Sequence, residues 1–133
     1  MREENVTAVE DAYRAFAHEG LDRFLEHWTD DLDHRSIEGA PDDRGPIHGK
    51  DAMRAYVQEI DTFDEFNIEP VELIDAEGGV VVAVVRYGGR AKLSGIETDE
   101  TFGAVFTIRD RKIARGREYR SREQALEAAG LRG

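Results

Sequence analysis

Three residues have the side chains and the surroundings for proton transfer: Glu118, His34 and Tyr13. Glu118 stands in the run Ile113-Ala114-Arg115-Gly116-Arg117-Glu118-Tyr119. Read as a regular strand, this run sets Ile113, Arg115, Arg117 and Tyr119 on one face and Ala114, Gly116 and Glu118 on the other. The small residues would leave free volume beside the carboxyl group. A carboxyl in apolar surroundings keeps its proton to higher pH, which suits a general acid or base near neutrality. The same residues also allow an ion pair of Glu118 with Arg115 or Arg117 at a sheet edge or dimer contact. His34 alternates with Leu32, Ser36 and Glu38, and imidazole is the usual proton carrier near neutral pH. A wall histidine hydrogen-bonded to backbone is its other reading. Tyr13 lies on an apolar helical stripe, where core packing is its plain reading.

A second tier of residues would shape a substrate site: Ser36, Glu38, Trp28, Phe16, Tyr56, Arg86 and Phe106. The aromatic members at these spacings serve equally as plain core.

These side chains need elements to hold them. Val6, Val9, Tyr13 and Phe16 recur at helical spacing, and Gly20 closes that helix. Leu21, Phe24, Leu25 and Trp28 predict a short second helix, broken by Thr29-Asp30-Asp31. Leu32 to Ile37 alternates as a strand. Residues 38–49, EGAPDDRGPIHG, form a loop rich in glycine and proline. Ala52, Met53, Tyr56, Val57, Ile60 and Phe63 predict a third helix, with Asp51 suited to its first turn. The period then becomes extended. Strands are expected over Glu69–Asp75, Val80–Tyr87, Arg90–Leu93, Ile96–Arg109 and Lys112–Tyr119, with turns at Glu77-Gly78-Gly79, Ser94-Gly95 and Asp110-Arg111. Gly88-Gly89 suggests a bulge or bend. Val80 to Val85 is apolar on both faces, so both need cover, and a second subunit is one candidate. Ser121 caps a last short helix, with Gln124 in a capping box and Gly130 at its end.

The order predicts an α+β domain: three N-terminal helices packed on a strongly curved, mostly antiparallel sheet, then a short C-terminal helix. At 133 residues one domain over 1–133 is expected, burying roughly two-thirds of its unfolded surface. Apolar content of 40% and charged content of 35% fit a globular chain. No apolar run approaches the ~20 residues that span a bilayer, and the acidic start MREENV lacks a signal-peptide core, so a cytoplasmic protein is expected. Zero cysteines exclude disulfide and thiolate chemistry. The net charge of -11 speaks against nucleic acid as partner. His18, His27, His34 and His48 show no metal spacing. Neither a phosphate loop nor a nucleophile elbow occurs, and no cofactor is expected.

Four segments in order, AYRAFAHEGLDRFLEHWTDDL, GPIHGKDAMRAY, SGIETDETFGAVFTIRDRKI and REYRSREQALEAAGL, resemble the SnoaL-like group of the nuclear transport factor 2-like superfamily. The resemblance covers nearly the whole chain and implies a cone-shaped fold with an internal pocket. It implies an acid at Glu118, five residues after the isoleucine that follows the turn. In similar isomerases the general base falls at Ser36, and the oxyanion tyrosine stands at the spacing of Tyr13 from Gly20. This chain departs from the pattern at three positions, with Ser36, Gly88 in place of a water-orienting acid after Arg86, and Ala104 in place of a histidine. The superfamily holds isomerases, cyclases, epoxide hydrolases, dehydratases and non-catalytic proteins, so fold does not fix function. The expected activity is a cofactor-free isomerase, cyclase or lyase acting on an apolar carbonyl compound. The alternative is a hydrophobic-ligand or dimerisation module, and a homodimer through the sheet is expected.

Overall fold

The computed structural model describes residues 2–59 and 63–131, with the side chains of residues 2–3 and 63–65 outside the description. The elements run α1 (Arg2–Glu19), α2 (Leu21–Glu26), β1 (Trp28–Arg35), β2 (Ile47–His48), α3 (Lys50–Glu59), β3 (Phe63–Asp75), β4 (Val80–Ala91), β5 (Glu97–Arg109), β6 (Lys112–Tyr119) and α4 (Arg122–Ala128). The six strands form one sheet in the order β2-β1-β6-β5-β4-β3. Every pairing is antiparallel except β1 with β6. That parallel pair joins the first strand to the last, across an intervening chain long enough to permit it.

Strand alternation builds two faces. Val81, Ala83 and Val85 of β4 stand opposite Phe106, Ala104 and Phe102 of β5. All six belong to the main core with Val9, Ala12 and Tyr13 of α1, Leu25 of α2 and Met53 and Tyr56 of α3. The opposite face is covered by α4, where Ala125 and Leu126 pack with Val82 and against Val105. Gly103 makes this possible, because a Cβ there would stand 2.5 Å from the Ser121 carbonyl oxygen and 2.8 Å from Ala125 Cβ. Helices therefore lie on both sides of the sheet. The two-sided apolar run of β4 is answered at Val82 by this chain's own last helix, while Val84 stays partly exposed.

Several boundaries differ from the sequence expectation. Trp28 is not in the second helix; it opens β1 and pairs with Ile113, because a partner strand outweighs helical spacing. The expected breaker Thr29-Asp30-Asp31 is strand. β1 stops at Arg35, so Ser36 and Glu38 follow it in a turn. Two loop residues, Ile47 and His48, pair with β1. β3 is longer than expected, and β4 continues through Gly88-Gly89, where its pairing with β3 shifts register between Asp64 and Asn67, the bulge expected at these glycines. At Gly88 a Cβ would stand 2.1 Å from the Thr98 carbonyl oxygen, so glycine serves close strand approach there. In α3 the stripe holds at Met53 and Tyr56, while Ile60 lies outside the described residues and Phe63 begins β3. The hairpin turn falls at Asp110-Arg111 as expected, with φ of 52 and 67, left-handed at two non-glycine residues. Ser121 accepts from Gln124 N at 3.1 Å while Gln124 Oε1 accepts from Arg120 N at 3.1 Å.

Candidate functional site

The site forms where β1 and β6 run parallel. His34 lies opposite Gly116 and Arg35 opposite Arg117. The next residue on β6, Glu118, stands across from Ala104 of β5 on the core-facing side. A register shift between Thr107 and Ile108 alters the face assignment: Arg115 pairs with Thr107 but Ile113 with Ile108, leaving Ala114 as an extra residue. This bulge turns Ile113 into the core at 0% exposure, on the same face as Gly116 and Glu118, not opposite them.

Nor is there free volume beside Gly116. A Cβ there would meet His34 Nδ1 at 2.7 Å, Trp28 at 3.1 Å and Phe106 at 3.2 Å. Glycine allows these three side chains to pack onto β6. Trp28 sets its ring edge-on to His34 at 5.6 Å and to Phe106 at 6.2 Å. The open space lies further along, in a cleft of about 260 Å³ bordered by Ser36, Glu118 and Gln124 and by three arginines, Arg35, Arg117 and Arg120.

Glu118 is one-fifth exposed, between this cleft and the packed interior. Its carboxylate oxygen is 3.6 Å from His34 Nε2, beyond hydrogen-bond length. Arg115 and Arg117, its expected alternative partners, instead reach Asp33 on the other face, Arg117 at 2.9 Å and Arg115 at 3.9 Å. Ala104 brings no cation from β5. Desolvation, and then the charge of Asp42, push Glu118 up to about 8. His34 moves the opposite way, to about 4, because burial disfavours imidazolium and Arg117 repels it, with Asp33 opposing weakly. At neutral pH the pair is a carboxylic acid beside an uncharged imidazole.

Three phenols face this pair. Tyr13 is buried against Phe24 at 6.1 Å and Phe106 at 6.2 Å. Burial and the Glu118 charge raise its pKa. Tyr56, from α3, lies 6.4 Å from the His34 ring and donates to Asp42 Oδ2 at 3.2 Å. Desolvation chiefly raises its pKa, the neighbouring Ser36 hydroxyl opposes this, and Asp42 and Glu118 add to the rise. Tyr87 of β4 donates to Glu100 at 3.2 Å. The Ser36 hydroxyl and His34 Nδ1 are buried and make no hydrogen bond of normal geometry.

Of the expected site residues, Glu118, His34, Ser36, Tyr13, Tyr56, Trp28 and Phe106 converge. Phe16 packs instead against Phe24 at 5.2 Å and Phe66 at 6.3 Å. Glu38 is not on the strand face of His34. It sits exposed in a turn on the cleft rim, with its carboxylate accepting from Arg35 at 2.9 Å. Arg86 points away from the site, because β4 turns Val85 and Tyr87 inward and Arg86 outward. It is clamped by Asp99 through two bonds of 2.7 Å beside a separate cleft. Sequence reading missed Asp42 and Asp43. The Asp43-Arg44-Gly45 spacing is the signal that could have found the second, since aspartate two residues before glycine favours a side-chain-closed turn.

The comparisons agree with this architecture. A Burkholderia pseudomallei NTF2-like protein of unknown function has a TM-score of 0.77 at 20% identity, over 93% of this chain and 95% of that one. TerC co-crystallized with polyporic acid has a TM-score of 0.77 at 19% identity, over 96% and 98%. A Mycobacterium tuberculosis protein in complex with estradiol-17beta-hemisuccinate has a TM-score of 0.74 at 14% identity, over 87% and 92%. At such identities the likeness is one of fold. No curated protein matches the chain. The family model of the SnoaL-like domain matches residues 9–116 and ends two residues short of Glu118. With that match over most of its length, and with this cone of helices and curved sheet, the chain belongs to the SnoaL-like domain family.

Proposed function

We propose that the protein binds an apolar, carbonyl-bearing small molecule in the cleft at Glu118 and moves a proton on it without a cofactor. The observation that carries this reading is a largely buried carboxylic acid on a cleft wall whose neighbour, His34, is uncharged at neutral pH. Glu118 would give its proton to the carbonyl oxygen. As carboxylate it would then take a proton from the adjacent carbon, so the net step is conversion of ketone to enol with no proton lost. Isomerisation, cyclisation or loss of a small neutral molecule can each follow from that enol. Tyr13 would hold the carbonyl oxygen by a hydrogen bond as it takes up the proton, and His34 would steady the carboxylate between the two transfers. Binding of a steroid ester and of polyporic acid by structures of similar fold supports a ligand of this type.

The test is exchange of carbon-bound protons in deuterated water over a panel of small cyclic ketones, followed by NMR. Glu118→Gln keeps the shape and removes the acid. The exchange rate is expected to fall on the order of a hundredfold. An unchanged rate, with ligand still bound, would remove the acid–base role.

A second reading is a ligand-binding or dimerisation module without turnover. The space beside Gly116 is filled by Trp28, His34 and Phe106, which leaves little enclosed hollow for a reaction. A homodimer through the sheet belongs to either reading. Its support is the part-exposed Val84 and the exposed Val71 at 53%, in the strands next to the α4 contact.

A further inference from the structure

The cleft at Glu118 is bordered by three arginines in a chain whose net charge is -11. Two of the three are spent on partners that hold the structure. Arg35 anchors a knot in the loop after β1. Asp43 accepts from its Nε at 3.3 Å and from a second of its nitrogens at 3.1 Å. The same aspartate accepts from the backbone N–H groups of Gly39 at 3.0 Å and Gly45 at 2.9 Å. Glu38 accepts from the third Arg35 nitrogen at 2.9 Å. Arg117 donates to Asp33 Oδ2 at 2.9 Å and to the Gly116 carbonyl at 2.8 Å. Arg120 differs: among the described residues its guanidinium has no hydrogen-bond or ion-pair partner. Its backbone is fixed, because Gln124 Oε1 accepts from its N–H at 3.1 Å, and both residues border the cleft.

The cleft also contains a buried polar atom with nothing to bind. The Ser36 side chain is 3% exposed and its hydroxyl makes no hydrogen bond. Such an atom calls for a partner from a ligand. We propose that the ligand of this cleft carries a carboxylate as well as a carbonyl, and that Arg120 holds the carboxylate while Ser36 and Glu118 meet the carbonyl. This deepens the reading of Glu118 as the acid of a ligand site and rests on it. A guanidinium presents a planar fork of N–H donors that matches the two oxygens of a carboxylate. The nearby acids leave this cation available. Glu38 and Asp43 are answered by Arg35, and Asp33 by Arg117. Asp42 is not part of the cleft lining; it accepts from Tyr56 of α3 at 3.2 Å. Glu118 holds its proton at neutral pH, since burial disfavours its charge. Because Arg120 is exposed, water screens the pair, so its effect is selectivity between ligands more than raw affinity.

The experiment compares 4-acetylbenzoate with 4-acetylbenzamide by NMR titration, two ketones of like size that differ by one charge. The wild type is expected to bind the carboxylate about fivefold more tightly at low salt, and added salt should shrink that preference. Arg120→Gln should bring the two compounds to within about twofold, and Arg120→Lys should retain part of the difference. Arg90→Gln removes a cation that is paired with Glu97 and does not border the cleft, so it should leave the preference unchanged. Ser36→Ala should weaken both compounds alike, by about threefold, because the ketone is common to them. Equal binding by the wild type, or a preference that survives in a folded Arg120→Gln protein, would overturn the carboxylate site and leave the role of Glu118 standing. Unchanged binding of both compounds in Ser36→Ala would overturn the placement of the carbonyl. Neither compound bound by the wild type would instead overturn the ligand site itself.

Discussion

Gly116 and Glu118 are two positions apart and illustrate opposite demands. At Gly116 the constraint is steric: His34, Trp28 and Phe106 occupy the space a side chain would need. Gly116→Ala is expected to destabilise by about 1–3 kcal/mol through overpacking, measured by urea unfolding. At Glu118 the constraint is electrostatic. The folded state raises its pKa from the ordinary 4.5 to about 8, so its contribution to stability is full below pH 4.5 and is lost as pH rises toward 8. His34 falls from 6.5 to about 4, so its contribution is full above pH 6.5 and is lost as pH drops toward 4. The two slopes oppose each other between pH 4.5 and 6.5, and Glu118 acts alone between 6.5 and 8. Unfolding free energy is expected to fall across that upper window, by on the order of a few kcal/mol at most. Glu118→Gln should flatten it. A wild-type curve that is already flat there would place the carboxyl in ordinary solvent.

The elements decide which side chains reach the site at all. Leu32 to Arg35 read correctly as strand, but β1 ends two residues before the expected Ile37, which leaves Ser36 and Glu38 beyond its end with different exposures. The one-residue bulge at Ala114 likewise turned Ile113 to the inner face, and nothing in the local pattern announces it. The terminal helix was legible because its capping box is a local hydrogen-bond pair. Ser121→Ala should cost about 1 kcal/mol by thermal unfolding and loosen the cover over Val82. The knot around Asp43 can be tested in the same spirit. Asp43→Ala removes four bonds that hold one loop, and faster amide exchange is expected at Gly39 and Gly45, with the strands of the core still protected.

For the whole molecule, a core on one face of the sheet and α4 on the other leave a limited apolar surface. Sedimentation at micromolar concentration is expected to show a dimer, strengthened by added salt because each chain carries a net charge of -11. A monomer at all salt concentrations would count against assembly through the sheet. Among the described residues no helix is long and apolar enough to cross a membrane.

Periodicity and turn chemistry by themselves determined four helical segments, the succession of extended segments after the third helix, the Asp110-Arg111 turn and the presence of an acid on the last strand, because these depend on neighbours a few residues away. Only the tertiary structure decided what surrounds that acid. Bringing β1 beside β6 packs His34 and Trp28 into the space at Gly116 and sends Arg115 and Arg117 to Asp33, while the loop after β1 brings the charge of Asp42 to bear on Glu118. Those relations join residues 34, 42 and 118, which are far apart along the chain. A proton's affinity for a carboxylate follows from such long-range burial and charge, which no local pattern encodes.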